Sequence, residues 1–84
     1  MSKSQMEQLA ATFGRQSQVV QDVIRAIQGA LDGTTWQGNR ADRFRQLWDG
    51  EFRPGLLSLV DALGEHSTFI GRELQAGVTA LDTV

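Results

Sequence analysis

Gly33-Thr34-Thr35-Trp36-Gln37-Gly38-Asn39 lies near the middle of an 84-residue chain and is its one glycine- and threonine-rich stretch. Apolar residues repeat with helical spacing on both sides of it, so it reads as a turn between two helices. Asp32-Gly33 closes the first pattern, with Gly33 as the residue just past the helix because glycine accepts positive φ at no steric cost. Asn39 opens the second pattern as its N-cap, with Asp42 three positions on in a capping-box-like arrangement. Inside the turn, Trp36 is a large amphipathic ring able to plug the open end of a helical seam while its N–H finds a partner. Gly38 lets the chain reverse closely beside that ring.

Working backwards from the turn, residues 4–32 read as a helix. Ser4 followed by Glu7 is a capping-box pattern, in which hydroxyl and carboxylate each satisfy an otherwise unpaired backbone N–H. Met6, Phe13, Val20 and Ile27 recur every seven residues; Leu9, Val23 and Ala30 form a second row, and Ala10, Ile24 and Leu31 a third. Gln16 and Ser17 interrupt these rows near the middle. Three adjacent rows make a stripe wider than a two-stranded seam needs and closer to that of a bundle helix.

Forwards from the turn, a second helix runs from about Arg40 to about Leu81. Phe44, Trp48, Phe52 and Leu56 are each four apart, so the stripe drifts round the helix before settling into heptads through Leu59, Leu63, Ile70, Leu74 and Leu81. Pro54 lies in that drift. Proline removes one backbone bond and collides with the carbonyl four residues back, here that of Gly50, so a kink or short break is expected within residues 50–55. The apolar period resumes at once and leaves no loop for a third antiparallel helix.

The fold class is therefore all-α: a single domain over residues 1–84 forming a two-helix antiparallel hairpin. A chain this short buries a modest fraction of its unfolded surface and needs a staple or a partner. It holds no cysteine and a single histidine, His66, so neither a disulfide framework nor a clustered metal site stands in for a core. Two hairpins packed face to face would bury the wide stripes as a four-helix bundle, with the second hairpin either a copy of the chain or a different one. The core and dimer seam would comprise Met6, Leu9, Phe13, Val20, Val23, Ile24, Ile27, Leu31, Phe44, Trp48, Phe52, Leu56, Leu59, Leu63 and Ile70.

The charge balance argues against a dedicated nucleic-acid or anionic-membrane binder, since the formal net charge is −2. Arg40, Arg43, Arg45 and Arg53 are the one basic concentration, yet Asp42, Asp49 and Glu51 lie among them. Positive residues at the start of the second helix also oppose its dipole, which hints at a local anionic partner. No apolar run approaches the roughly 20 residues that cross a bilayer, so no stable membrane insertion is expected. The N-terminal residues carry no apolar stretch of the kind that marks a cleaved leader. Catalysis finds little support: nucleophile–base pairs reduce to Ser or Thr with His66, no elbow motif frames them, and neither catalytic residues nor a cofactor or metal is expected. His66, between Leu63 and Ile70, is placed near the inner stripe.

Thr35-Trp36-Gln37-Gly38 followed by Ala41 and Phe44 resembles the WXG family, small helical hairpins similar to the early secreted antigens of mycobacteria. The likeness covers the whole chain in length, helix-turn-helix order and absence of cysteine. It implies export by a type VII (ESX-like) secretion system, without a cleaved signal peptide, as a folded dimer with a WXG-like partner. It further implies docking to the secretion machinery, its ATPase included, in which Trp36 and Gly38 take part. Such proteins carry a C-terminal signal of tyrosine, three residues and an acid. This chain has no tyrosine, and its nearest match is Phe69-Ile70-Gly71-Arg72-Glu73, whose spacing keeps Phe69 and Glu73 on one helical face. A competing expectation is a cytoplasmic targeting module or chaperone that pairs with a larger secreted toxin.

Overall fold

The computed structural model describes the backbone of residues 2–83 and the side chains of residues 2–76. Helix α1 spans Lys3–Asp32, α2 spans Asn39–Leu47, and α3 spans Arg53–Thr83; a single π-helical turn, Trp48–Phe52, joins α2 to α3 without interruption. The chain is an all-α hairpin, with α1 as one arm and α2, the π turn and α3 as the other. It forms a rod of 67 × 17 × 16 Å. Two serines fix its register. Ser17 Oγ on α1 donates to the Val60 carbonyl on α3 at 3.3 Å, and Ser67 Oγ on α3 donates to the Ala10 carbonyl on α1 at 2.8 Å. Seven residues back along α1 correspond to seven residues forward along α3, which is the signature of antiparallel helices in step.

The helix ends differ from the expected ones in three places. The capping box of α1 is Ser2 with Gln5, not Ser4 with Glu7: Gln5 N–H donates to Ser2 Oγ at 3.1 Å and Ser2 N–H to Gln5 Oε1 at 3.0 Å. Both serines carry the pattern; the outer one wins because it also lets Met6 N–H reach the Ser2 carbonyl at 3.0 Å, adding a helical bond the inner box would forgo. Gly33 keeps right-handed geometry, at φ −91°, because its N–H still completes a helical bond to Gly29. At the start of α2 the cap is Gly38, which makes no side-chain hydrogen bond, and Asn39 is already helical. With the cap moved to Gly38, Asp42 falls at the fourth helical position, where its N–H makes the first helical bond, to the Gly38 carbonyl at 3.0 Å. Its carboxylate makes no cap bond; it sits in the first turn, where the dipole favours it.

Pro54 acts one turn upstream of itself. Arg53 N–H reaches back five residues to the Trp48 carbonyl, so the helix widens into the π turn before the residue that has no N–H to give. The disruption expected over residues 50–55 takes this form, a wider turn centred on Gly50 with no break in the helix.

The seam between the arms is narrow. Met6, Leu9, Phe13, Val20, Ile24, Ile27 and Leu31 on α1 are half-buried, as are Leu56, Leu63 and Ile70 on α3 and Phe44 on α2. Among the described residues the hydrophobic side chains buried outright are Ala41 and Trp48, joined by the polar Ser17. Val23, Phe52 and Leu59, expected within the seam, turn outward. A single opposing helix covers only part of a stripe three rows wide, and Val23 lies on a flanking row. Phe52 sits in the π turn, where the widened backbone rotates it away from α1. Ser17, which interrupts the apolar pattern in sequence, is the residue that lets the arms close: its small side chain is buried and bonded across the gap. Gly14 performs the same service near Ser67, whose hydroxyl lies 3.5 Å from where a Cβ would stand.

Candidate functional site

Residues 34–37 lie outside any helix, and the chain turns at Gly38, whose φ of +110° and ψ of 175° fall in a region open essentially to glycine alone. Trp36 therefore sits past the end of α1 with only α2 beside it. Its ring packs against Phe44, centroids 6.0 Å apart and tilted by 49°, and Phe44 in turn meets Phe52 at 6.2 Å. Trp36 remains 41% exposed and Phe52 44%. The expectation that Trp36 plugs the seam is thus corrected: the plug is Trp48, 2% exposed, which has α1 opposite it. Trp48 Nε1–H donates to Gln28 Oε1 at 2.9 Å, and Gln28 Nε2–H donates to Asp32 Oδ1 at 3.0 Å. Beside Trp48, the side chains of Ile27, Phe44, Phe52 and Leu56 line an open apolar groove edged by Glu51.

Arg45, noted in sequence only as one of four arginines, is the side chain that holds the turn. Its guanidinium donates to the Trp36 carbonyl at 2.7 Å and to the Thr34 carbonyl at 3.5 Å, and its carbon lies 5.8 Å from the centre of the Trp36 ring.

At the other end of the rod, Phe69 is 58% exposed and flanks a shallow surface hollow with Glu65 and His66. Glu73 is exposed as well, one turn on. His66 is not on the inner stripe. It points outward with Nδ1 2.8 Å from the Ala62 carbonyl, while its neighbour Ser67 takes the inward place and bonds the Ala10 carbonyl on α1. Among the described residues no group of three or more His, Asp or Glu side chains is disposed to hold a metal ion. Nor is any helix long and apolar enough to cross a membrane.

Three of the outward apolar residues share a side of the rod. Counting 100° per residue from the faces that α1 and α3 turn to each other, Val19, Val23 and Leu59 fall on one broad side of the rod. Leu57 falls on the other side, against Gln21, Ile24 and Arg25. By the same count Asp61 falls on the Leu57 side, whereas Glu73 shares the side of Leu59.

A hairpin of this size, turning at Trp36-Gln37-Gly38, matches the family described as proteins of 100 residues with WXG over residues 1–82. The chain belongs to the WXG100 family. WXG100 proteins are in general small, helical and non-enzymatic, belong to the type VII secretion kind, and typically pair with one another. Neither the curated proteins nor the solved structures contain a match to this WXG100 chain.

Proposed function

We propose that the chain is an interaction protein with no catalysis of its own, exported by the type VII route as a folded dimer. One observation carries this reading beyond family membership: the side of the rod bearing Val19, Val23 and Leu59 leaves these three large apolar side chains exposed to solvent. A rod two helices thick has no core behind which to hide such side chains, and contiguous exposed apolar surface marks an interaction site. A second copy of the chain offers the same apolar side chains to this side, so a homodimer is the favoured pairing. Laid side against side, two such rods form a four-helix bundle in which the half-buried stripes close.

In this reading the Trp36 turn and the Phe69–Glu73 strip are the exposed elements that meet the secretion machinery, its ATPase included. Fractionation of a culture with an intact secretion locus tests export: tagged protein accumulates in the medium, and Phe69→Ala or Glu73→Gln reduces that amount. Protein held in the cytosol under the same conditions overturns the export reading and leaves a cytoplasmic partner of a larger toxin. Sedimentation equilibrium of the purified chain tests pairing, with twice the chain mass at micromolar concentration expected and a folded monomer contradicting it.

A further inference from the structure

The turn that carries Trp36 has little to hold it from within. Among the described residues, the backbone hydrogen bonds at this end are the last of α1, from Gly33 to Gly29, and the first of α2, from Asp42 to Gly38. Residues 34–37 contribute no such bond between them. A helix C-terminus leaves its final carbonyls without partners and carries partial negative charge. α1 supplies no basic residue in its own last turn to answer that charge.

Arg45, on the opposite arm, brings a positive charge to the turn that follows α1. Its two terminal nitrogens reach two carbonyls of the turn, those of Trp36 and Thr34, while its Cζ lies 5.8 Å from the centre of the Trp36 ring, within cation–π reach. Neither of the ion pairs among the described residues involves Arg45; those join Arg25 to Asp22 and Arg53 to Asp49. Its charge is therefore spent on carbonyls and a ring. The planar fork of arginine suits this task, since its two terminal nitrogens donate in different directions from one rigid group, whereas a lysine ammonium is a single point donor.

We infer that Arg45 is a positioning residue that latches the Trp36 turn to α2 and fixes the direction in which the exposed indole points. The latch needs only the hairpin to be folded and is independent of export. Its consequence for recognition is preorganisation: a partner that meets Trp36 finds the ring already placed, and the ordering cost of the turn is met within the hairpin.

Nuclear magnetic resonance relaxation on the full chain tests the latch. In the native protein, the amides of residues 35–37 and the Trp36 indole N–H should show order parameters near those of rigid backbone, about 0.85, and Arg45→Gln should drop them below about 0.6. Arg45→Lys should recover little of the loss, and Arg43→Gln, one charge removed two residues away, should leave the turn unchanged. The Trp48 indole signal should stay put in all three variants. An ordered turn in folded Arg45→Gln overturns the inference, as does equal loss of order in Arg43→Gln. Should Arg45→Gln fail to fold, the native protein still decides the matter: Arg45 Nε–Hε as mobile as that of Arg43 overturns the latch, and a restrained Arg45 beside a mobile Arg43 supports it.

Discussion

Trp48 and Gln28 face each other across the hairpin, the indole N–H donating to the amide oxygen at 2.9 Å in the most buried large contact between the arms. The Gln28 amide is itself oriented by Asp32, so the indole meets an acceptor already turned towards it. The hairpin is thereby pinned near its turn end by a tryptophan outside the WXG motif.

Trp48→Ala should cost the fold about 3–5 kcal/mol, the usual range for removing a buried aromatic. Trp36→Ala, which loses mainly one aromatic contact to Phe44, should cost less than about 1.5 kcal/mol. Denaturant melts of the two variants at equal concentration check the order, and a larger loss for Trp36→Ala would contradict the assignment of the plug.

Gly14→Ala should be neutral or stabilising by up to about 1 kcal/mol, since helix propensity improves and the added methyl meets Ser67 Oγ at ordinary contact distance, 3.5 Å. Gly14→Leu forces the arms apart and should lose about 1–3 kcal/mol. Thermal unfolding of the pair measures both.

Much of this could be read from the sequence, and the misses share a cause. The two arms and their turn follow from heptad spacing broken at Gly33 to Asn39, which helix periodicity encodes directly. Periodicity weighs apolar bulk, so Ser17 reads as an interruption of the stripe, whereas small size is what brings two backbones close. Trp36 reads as the plug because it is a large amphipathic ring at the open end of the seam; what decides burial is whether a helix lies opposite, and of the two tryptophans Trp48 has one. Arg45 could not be singled out among four arginines, because its partners are main-chain carbonyls that carry no sequence signal.

Gly38→Ala places a side chain at φ +110°, where the strain is about 1–3 kcal/mol even though the space around it is open. Calorimetry should register that loss, together with broadening of the Trp36 indole resonance as the turn seeks another conformation.

Val23→Glu puts a charge in the middle of the face proposed to pair and should shift the chain to monomer at micromolar concentration. Arg25→Glu, on the other side of the rod, should not. Equal dissociation by both variants, measured by sedimentation equilibrium, would move the pairing surface elsewhere.

A rod this slender also misleads instruments calibrated on spheres. Its radius of gyration is 18.9 Å, against about 12 Å for a compact chain of the same length and close to that of a globule of roughly 290 residues. A single hairpin would leave a sizing column early and tumble slowly about its short axes, imitating an oligomer by shape alone. Retention volume therefore reports the length of the rod, and only a method that weighs the particle independently of its friction can count the hairpins in it.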